Sequence, residues 1–278
     1  MIEIGNYNTL KVLRETSVGA FLGDDEGHEV LLPGKYVPGE ISVDSEIEVF
    51  VYRDSEDRLV STNLRPKIQL HQFAVLQAVM VNQIGAFLDW GLEKNLFVPF
   101  REQGTKMLKG RWYMVYLYLD EQTDRLVASA KINRFLNNEQ LTVKEGDEVE
   151  VMIWETTDLG VNVIINNLHK GLVYHNEFFA QVTPGDIRKG YISKIRDDHK
   201  IDVQLQMPGV GNIEPSAARI LEILQTKEGF LSLTDNSEPE EIARHLEMSK
   251  KTFKKAIGSL YKQKIVMIEK DGIRLIEK

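Results

Sequence analysis

The N-terminal quarter of the chain alternates apolar and polar positions with the two-residue period of a β-strand. Glu46–Tyr52 alternates most regularly, which predicts a strand with one buried face. The other predicted strands are short, rich in β-branched and aromatic residues, and bounded by Gly, Asp or Ser: Thr9–Leu13, Val18–Leu22, Val30–Leu32 and Leu59–Asn63. Five strands in about 65 residues predict a small closed barrel of the OB type.

The same pattern returns further along the chain. Val-Gly-Ala-Phe-Leu at Val18–Leu22 reappears as Ile-Gly-Ala-Phe-Leu at Ile84–Leu88, and Asp-Arg-Leu-Val-Ser at Asp57–Ser61 reappears as Asp-Arg-Leu-Val-Ala at Asp124–Ala128. Landmarks in the same order at nearly constant spacing indicate an internal duplication. The glycine inside each Gly-Ala-Phe strand predicts a bulge or a tight bend.

A third, more diverged copy follows. It contains a Gly-bearing strand at Leu159–Val163, then Gly171–His175, then an alternating run at Tyr191–Ile195. We therefore predict three tandem OB-fold barrels over residues 1–65, 66–138 and 139–211.

The C-terminal segment changes to helical spacing. Apolar residues recur three and four apart from Ala217 to Leu224, Ser237 and Ser249 are placed to cap two further helices, and Asp271-Gly272 marks a hairpin. Three helices with a tight turn before the last, followed by a hairpin, predict a winged helix-turn-helix over residues 212–278. The expected fold class is therefore multidomain and mainly β, with an α+β tail.

Composition limits the function classes. The chain has 278 residues, 42% hydrophobic and 27% charged, as in an ordinary globular protein. It contains no cysteine, which excludes disulfides and thiolate metal sites. The longest apolar stretch, near Ala74–Val81, is too short to cross a bilayer, and no secretory signal pattern occurs. We expect a cytoplasmic protein without a membrane partner.

Signatures of catalysis are missing from the sequence. No Gly-rich phosphate loop occurs, and the six histidines form no zinc-binding spacing. We expect no enzyme activity, no cofactor, no metal and no small-molecule substrate. Paired carboxylates drawn from distant segments are the one catalytic arrangement that these patterns leave open.

The third copy resembles the RNA-binding domain named for the first protein of the small ribosomal subunit, through its Gly-bearing strand, Gly171–Glu177 and Gly185-Asp186. Three such barrels followed by a winged helix resemble the bacterial family called conserved virulence factor B. That resemblance implies an RNA-binding protein that influences transcript levels or translation without catalytic activity. The domain's RNA-facing residues are an aromatic in the Gly-bearing strand and a His in the next strand. Phe21 and Phe87 match the aromatic and His175 matches the His, but Pro33, Pro99 and Asn162 depart from the pattern.

Single-stranded RNA is bound by rings that stack on bases and by cations that contact phosphates. We predict that Phe21 and Phe87 supply rings, and that Arg58 and Arg125 of the Asp-Arg-Leu turns supply charge beside them. His175 is the candidate in the third copy. The alternative is that the rings fill barrel cores and the arginines are solvated turn residues. Trp112, Met114 and Tyr116 share one face of an aromatic strand, and Tyr113, Val115 and Leu117 share the other. One face must be core, and the other is predicted as a binding platform or an interdomain contact.

The third tail helix carries a local excess of positive charge in a chain whose net charge is −8. Lys250, Lys251, Lys254 and Lys255 flank an apolar stripe, where a winged helix presents its recognition helix to nucleic acid. We predict a protein that binds single-stranded RNA without strong sequence preference. Two alternatives remain: a DNA-binding regulator acting through the winged helix, and a protein-interaction scaffold at the ribosome or polymerase.

Overall fold

The computed structural model describes residues 1–39, 41–175, 182–205, 215–227, 229–262 and 265–276. The chain forms two compact units. The first comprises residues 1–142, 150–172 and 180–188, and the second comprises residues 143–149, 173–179 and 189–278. The predicted module boundaries at 65, 138 and 211 stay a prediction. Within the described residues no helix is both long enough and apolar enough to span a bilayer.

The first repeat is a closed five-stranded barrel with the order β1-β2-β3-β5-β4. Its strands are β1 Tyr7–Thr16, β2 Gly19–Gly23, β3 Glu29–Pro33, β4 Glu46–Arg53 and β5 Leu59–Thr62. A parallel pairing of Leu31 with Val60 joins β3 to β5 and closes the barrel. Alternate residues such as Leu10, Val12 and Leu22 fill its interior, as the two-residue period requires.

The second repeat keeps this strand order as an open five-stranded sheet, β10-β9-β6-β7-β8. Its strands are β6 Phe73–Val81, β7 Gly85–Asp89, β8 Leu96–Pro99, β9 Trp112–Asp120 and β10 Arg125–Ser129. The sequence predicts a closed barrel, and the structure corrects this, because β8 and β10 are the two sheet edges. The segment after Pro99 bridges them instead, since the Ala130 amide donates to the Glu102 carbonyl at 2.9 Å.

The third repeat is again a closed barrel, in the order β11-β12-β13-β15-β14. Its strands are β11 Glu148–Thr156, β12 Gly160–Ile165, β13 His169–Tyr174, β14 Ile187–Ile195 and β15 Ile201–Gln204. Three copies with one strand order confirm the predicted tandem OB-type architecture.

Each repeat has a β-bulge at the same place. The register between the first two strands shifts around Leu13, Val79 and Trp154, all in the first strand of their repeat. The sequence predicts a bulge or a tight bend at Gly19 and Gly85 of the second strand, but the register shift lies in the first strand instead. Gly19 and Gly85 serve a close approach, because an added Cβ would lie 2.1 and 2.3 Å from a carbonyl oxygen of the next strand.

The first and second repeats share one hydrophobic core. Trp90 of the second repeat is 2% exposed, and its ring packs edge-on against Phe50 and Tyr52 of the first, with centroids 5.8 and 6.4 Å apart. The indole N–H donates to the Lys94 carbonyl at 2.5 Å. Burial raises the pKa of Tyr52 to about 12. The two duplicated segments therefore pack as one body.

Two ion pairs cross this junction, and each uses the aspartate of one of the duplicated Asp-Arg turns. Arg53 bonds Asp124, and Arg125 bonds Asp57. Both aspartates have left-handed backbone, with φ of 62° at Asp57 and 52° at Asp124, a conformation that Asp tolerates better than most residues. Each turn thus supplies one acceptor to the other repeat.

Part of the third repeat docks on the second within the first unit. The Asn167 side chain donates to the His71 carbonyl at 2.6 Å and accepts from the Phe73 amide at 3.3 Å. Phe73 also joins a buried cluster with Ile132 and Ile164. These contacts hold β6 against β12 and the turn that follows it.

The second unit contains the predicted winged helix. Its elements are α1 Pro215–Thr226, β16 Phe230–Leu231, α2 Pro239–Leu246, α3 Lys250–Lys262, β17 Val266–Ile268 and β18 Ile273–Leu275. The three strands form one sheet in the order β16-β18-β17. Ser249 caps α3 by accepting from the Thr252 amide at 3.1 Å. The expected Ser237 cap of α2 is wrong: Glu238 is the capping residue, without a side-chain hydrogen bond.

Candidate nucleic-acid interface

Two phenylalanines form a ring pair on the outer face of the second repeat. Phe87 on β7 is the cross-strand partner of Phe97 on β8, and their ring centroids are 5.1 Å apart. Both side chains are half-buried, whereas the flanking Ala86 and Leu88 point into the core and are fully buried. Strands two and three of an OB fold form its nucleic-acid face, so the pair lies where stacking is expected.

The ring pair lines a pocket of about 440 Å³. Met80 and Ile84 on its rim are 44% and 61% exposed, and Arg125 lines it as well. The structure therefore brings together the predicted Phe87 and Arg125. Sequence reasoning missed Phe97, which stands two residues before Pro99 as Leu31 stands two residues before Pro33.

The cations of this pocket are held in place by neighbours. Arg125 bonds the Asp57 carboxylate, and this hydrogen bond holds the pKa of the Asp57 carboxyl below its usual range. The Lys94 ammonium donates to the carbonyls of Arg53 at 3.0 Å and Asp54 at 2.6 Å. Burial lowers the pKa of Lys94. The Arg125 guanidinium is the more accessible of the two cations, because the Lys94 ammonium already donates to two backbone carbonyls.

Phe21 in the first repeat is also half-buried on β2. The Arg14 guanidinium lies 4.1 Å from its ring centroid, which is cation–π geometry, and also bonds Glu29 at 2.7 Å. The predicted cation, Arg58, instead pairs with Asp54 at 2.7 Å and Glu56 at 3.1 Å. Arg14 is the cross-strand partner of Phe21, a relation that strand register alone could have predicted.

The second unit carries a third ring–cation pair. His175 is exposed and follows the end of β13. The burial alternation places Tyr174, rather than His175, in the register of Pro33 and Pro99. The Arg196 guanidinium lies 5.9 Å from the Tyr174 ring and bonds its hydroxyl. The Asn176-Glu177 part of the resemblance lies outside the described residues.

Helix α3 presents the predicted lysines. Lys251, Lys254 and Lys255 are exposed, and Phe253 and Ile257 on the other face are fully buried. Lys250 is half-buried, with its ammonium 3.3 Å from the Asn236 carbonyl. The Lys254 ammonium lies 3.8 Å from Asp235, a long pair between exposed groups that contributes little to stability. The helix therefore offers cationic side chains to a partner.

One group of side chains has the composition of a metal site. The ligand atoms of Asp24, Glu26 and His28 all lie within 4.8 Å of one another. The terminal ammonium of Met1 already lies 3.2 Å from Asp24 and 3.3 Å from Glu26. This ammonium supplies the positive charge that a metal would bring.

The comparisons with known proteins agree with this architecture. Residues 4–64 match the S1 domain, and residues 218–275 match the CvfB-like winged helix domain. The chain is 25% identical over 246 residues to conserved virulence factor B of Staphylococcus aureus, covering 86% of this chain and 82% of that one. It is 24% identical over 273 residues to the uncharacterized protein YitL of Bacillus subtilis, covering 93% and 89%.

A solved structure aligns over 98% of both chains, with 22% identity and a TM-score of 0.42. It is a multidomain protein with nucleic acid binding domains from Streptococcus pneumoniae. The matches to the two family models, by themselves, show that the present chain contains an S1 domain and a CvfB-like winged helix domain, and these domains support nucleic-acid binding. The predicted resemblance to conserved virulence factor B is confirmed by its CvfB-like winged helix and by its relatives.

Proposed function

We propose that the chain binds single-stranded RNA and acts in bacteria as a regulator of transcript level or translation. The observation that carries the proposal is the pocket of the second repeat, where Phe87, Phe97 and Arg125 meet. Half-buried rings beside a guanidinium suit an unstacked base with its phosphate. The regulatory role rests on the similarity to conserved virulence factor B.

The charge of the chain sets the expected affinity. At a net charge of −8, long-range attraction of a polyanion is absent, and binding depends on local cations. Arg14 and Arg125 already pair with carboxylates, so a phosphate must replace Glu29 and Asp57. We therefore expect weak binding per repeat, falling steeply as salt rises.

The test is fluorescence anisotropy of a labelled ten-nucleotide RNA with the full chain at low salt. Phe21→Ala with Phe87→Ala removes both predicted stacking rings, and each stacked base is worth about 1–3 kcal/mol, or roughly 5- to 150-fold in Kd. Phe100→Ala is the matched control, because Phe100 is 42% exposed but lies outside both ring pairs. Equal Kd values for the double variant and the control would remove the proposal.

A second candidate is binding of duplex DNA through the winged helix. The exposed lysines of α3 favour it, since such a helix enters the major groove. Lys251→Glu with Lys254→Glu would then abolish duplex binding and leave single-stranded RNA binding by the barrels in place. Competition between duplex DNA and the RNA oligonucleotide separates the two candidates.

A further inference from the structure

A groove of about 1120 Å³ lies between the second repeat and the docked part of the third, and shares no lining residue with the Phe87 pocket. Its walls carry two indole rings, Trp112 on β9 and Trp154 on β11, with the thioethers of Met114 and Met152 between these strands. Trp112 is 59% exposed. Trp154 is the bulged residue of its strand, and a bulge redirects a side chain.

A cationic loop borders this groove. Gly104 and Thr105 line it, and the same loop continues through Lys106, Lys109 and Arg111 to Trp112. All three cations are exposed, and across the described ranges none has an acidic partner within 4.0 Å. Most other cations of the first two repeats are ion-paired.

The loop is held rigidly in this position. Met107 is fully buried, and its amide donates to the Gln103 side chain at 2.9 Å. The Gly110 amide donates to the Ala78 carbonyl at 2.7 Å, and the Leu108 amide donates to the Tyr113 hydroxyl at 2.7 Å. The backbone that carries the cations is therefore already in place beside the exposed indole, so binding has to order only their side chains.

The opposite wall is acidic. Glu150 and Glu155 on β11 line the groove and are exposed. Lys67, which also lines it, is neutralised by Asp89 at 2.5 Å. Phosphates are thus attracted to the loop side and repelled from the β11 side. A base pointing toward β11 meets carboxylates, which accept hydrogen bonds from exocyclic amino groups.

We propose that this groove is a second RNA site, which holds bases of a single-stranded segment between its indoles while Lys106, Lys109 and Arg111 contact the phosphates. The carboxylates of Glu150 and Glu155 favour bases with an exocyclic amine, so cytosine binds better than uracil, which has a carbonyl oxygen where cytosine has its amine. This inference rests on the proposed function and adds to it a base preference.

The first test compares binding of labelled C10 and U10 RNA by the full chain at low salt. Lys106→Glu with Lys109→Glu removes two of the three cations proposed to contact phosphates, and its matched control is Lys144→Glu with Lys194→Glu. Both pairs are exposed and make the same change in net charge. We expect at least a ten-fold loss of C10 affinity in the first variant beyond that in the control.

The second test uses the tryptophans as probes. Trp90 is buried, so binding of C10 should quench mainly Trp112 and Trp154. Trp112→Ala should weaken C10 binding at least five-fold, while Trp112→Phe keeps a stacking ring and should restore most of it. Glu150→Gln with Glu155→Gln should reduce the preference for C10 over U10, about five-fold or more in the unaltered protein, toward unity.

The outcomes separate the two proposals. If the unaltered protein binds neither RNA, the proposed function fails and this inference fails with it. If it binds RNA, but the loop variant matches its control or C10 and U10 bind equally, only the groove proposal is overturned. Quenching by an arginine-rich decapeptide, with none by C10, would assign the groove to a protein partner and overturn it as well.

Discussion

The shared core of the first two repeats makes Trp90→Ala a decisive perturbation. The indole is 2% exposed and touches Phe50 and Tyr52 edge-on. Truncating a buried Trp to Ala costs about 3–5 kcal/mol through lost burial and the cavity left behind. The Lys94 carbonyl also loses its donor, which adds about 1 kcal/mol. We expect the first unit to lose about 4–6 kcal/mol.

The assay is urea unfolding of the full chain followed by far-UV circular dichroism. With an m-value of about 2–3 kcal/mol per M, this loss lowers the urea midpoint of the first unit by about 2 M. The winged-helix transition should not move, because no residue of its core is altered. Two transitions should then separate, as is usual for multidomain chains.

Trp112→Ala is the matched control, because it makes the same chemical change at a residue that is 59% exposed. It should cost below about 1 kcal/mol. Trp90→Phe keeps a ring but removes the indole donor, and should cost about 1–2 kcal/mol. Equal midpoints for the two alanine variants would refute the reasoning that one core joins the repeats.

Two further predictions concern single positions. Gly19→Ala should destabilise the first repeat by several kcal/mol, because the added Cβ would lie 2.1 Å from a carbonyl oxygen. Gly39→Ala is the control, because a Cβ at Gly39 meets no atom within 4 Å. Similar melting temperatures of the two variants would contradict the close approach at Gly19. Arg125 lowers the pKa of Asp57, so the stabilisation from their pairing is present above the unfolded pKa of about 4 and is lost as pH falls through the lower folded value. Asp57→Asn should therefore lower the melting temperature at pH 7 and hardly at all well below pH 3, and a pH-independent difference would oppose this.

The duplicated strands could be predicted because alternation and repeated landmarks are local signals. Glu46–Tyr52 became β4 within one residue. The winged-helix elements could also be predicted, because helix caps and turn residues act over a few positions. The open edge of the second repeat could not be predicted, because it depends on which segment of the chain hydrogen-bonds to the Ala130 amide.

The candidate site was only partly readable. Phe87 and Arg125 share a pocket, as expected, while Arg58 is paired within its own turn. The cation at Phe21 is Arg14, which only strand register relates to it. The groove around Trp112 is formed by residues from two repeats. The periodicity of hydrophobic residues describes single elements and does not predict which repeats pack together.

The junction at Trp90 has a consequence for how a ligand is recognised. If a flexible linker joined the two repeats, each repeat could bind a nucleic-acid strand independently of the other. Because the shared core fixes the two repeats, the binding faces around Phe21 and Phe87 keep a constant distance and orientation. A polymer that contacts both faces must match this geometry or lose one of the two contacts. The protein can then select among flexible polymers through the fixed distance between the two faces, even if neither face alone prefers a particular sequence.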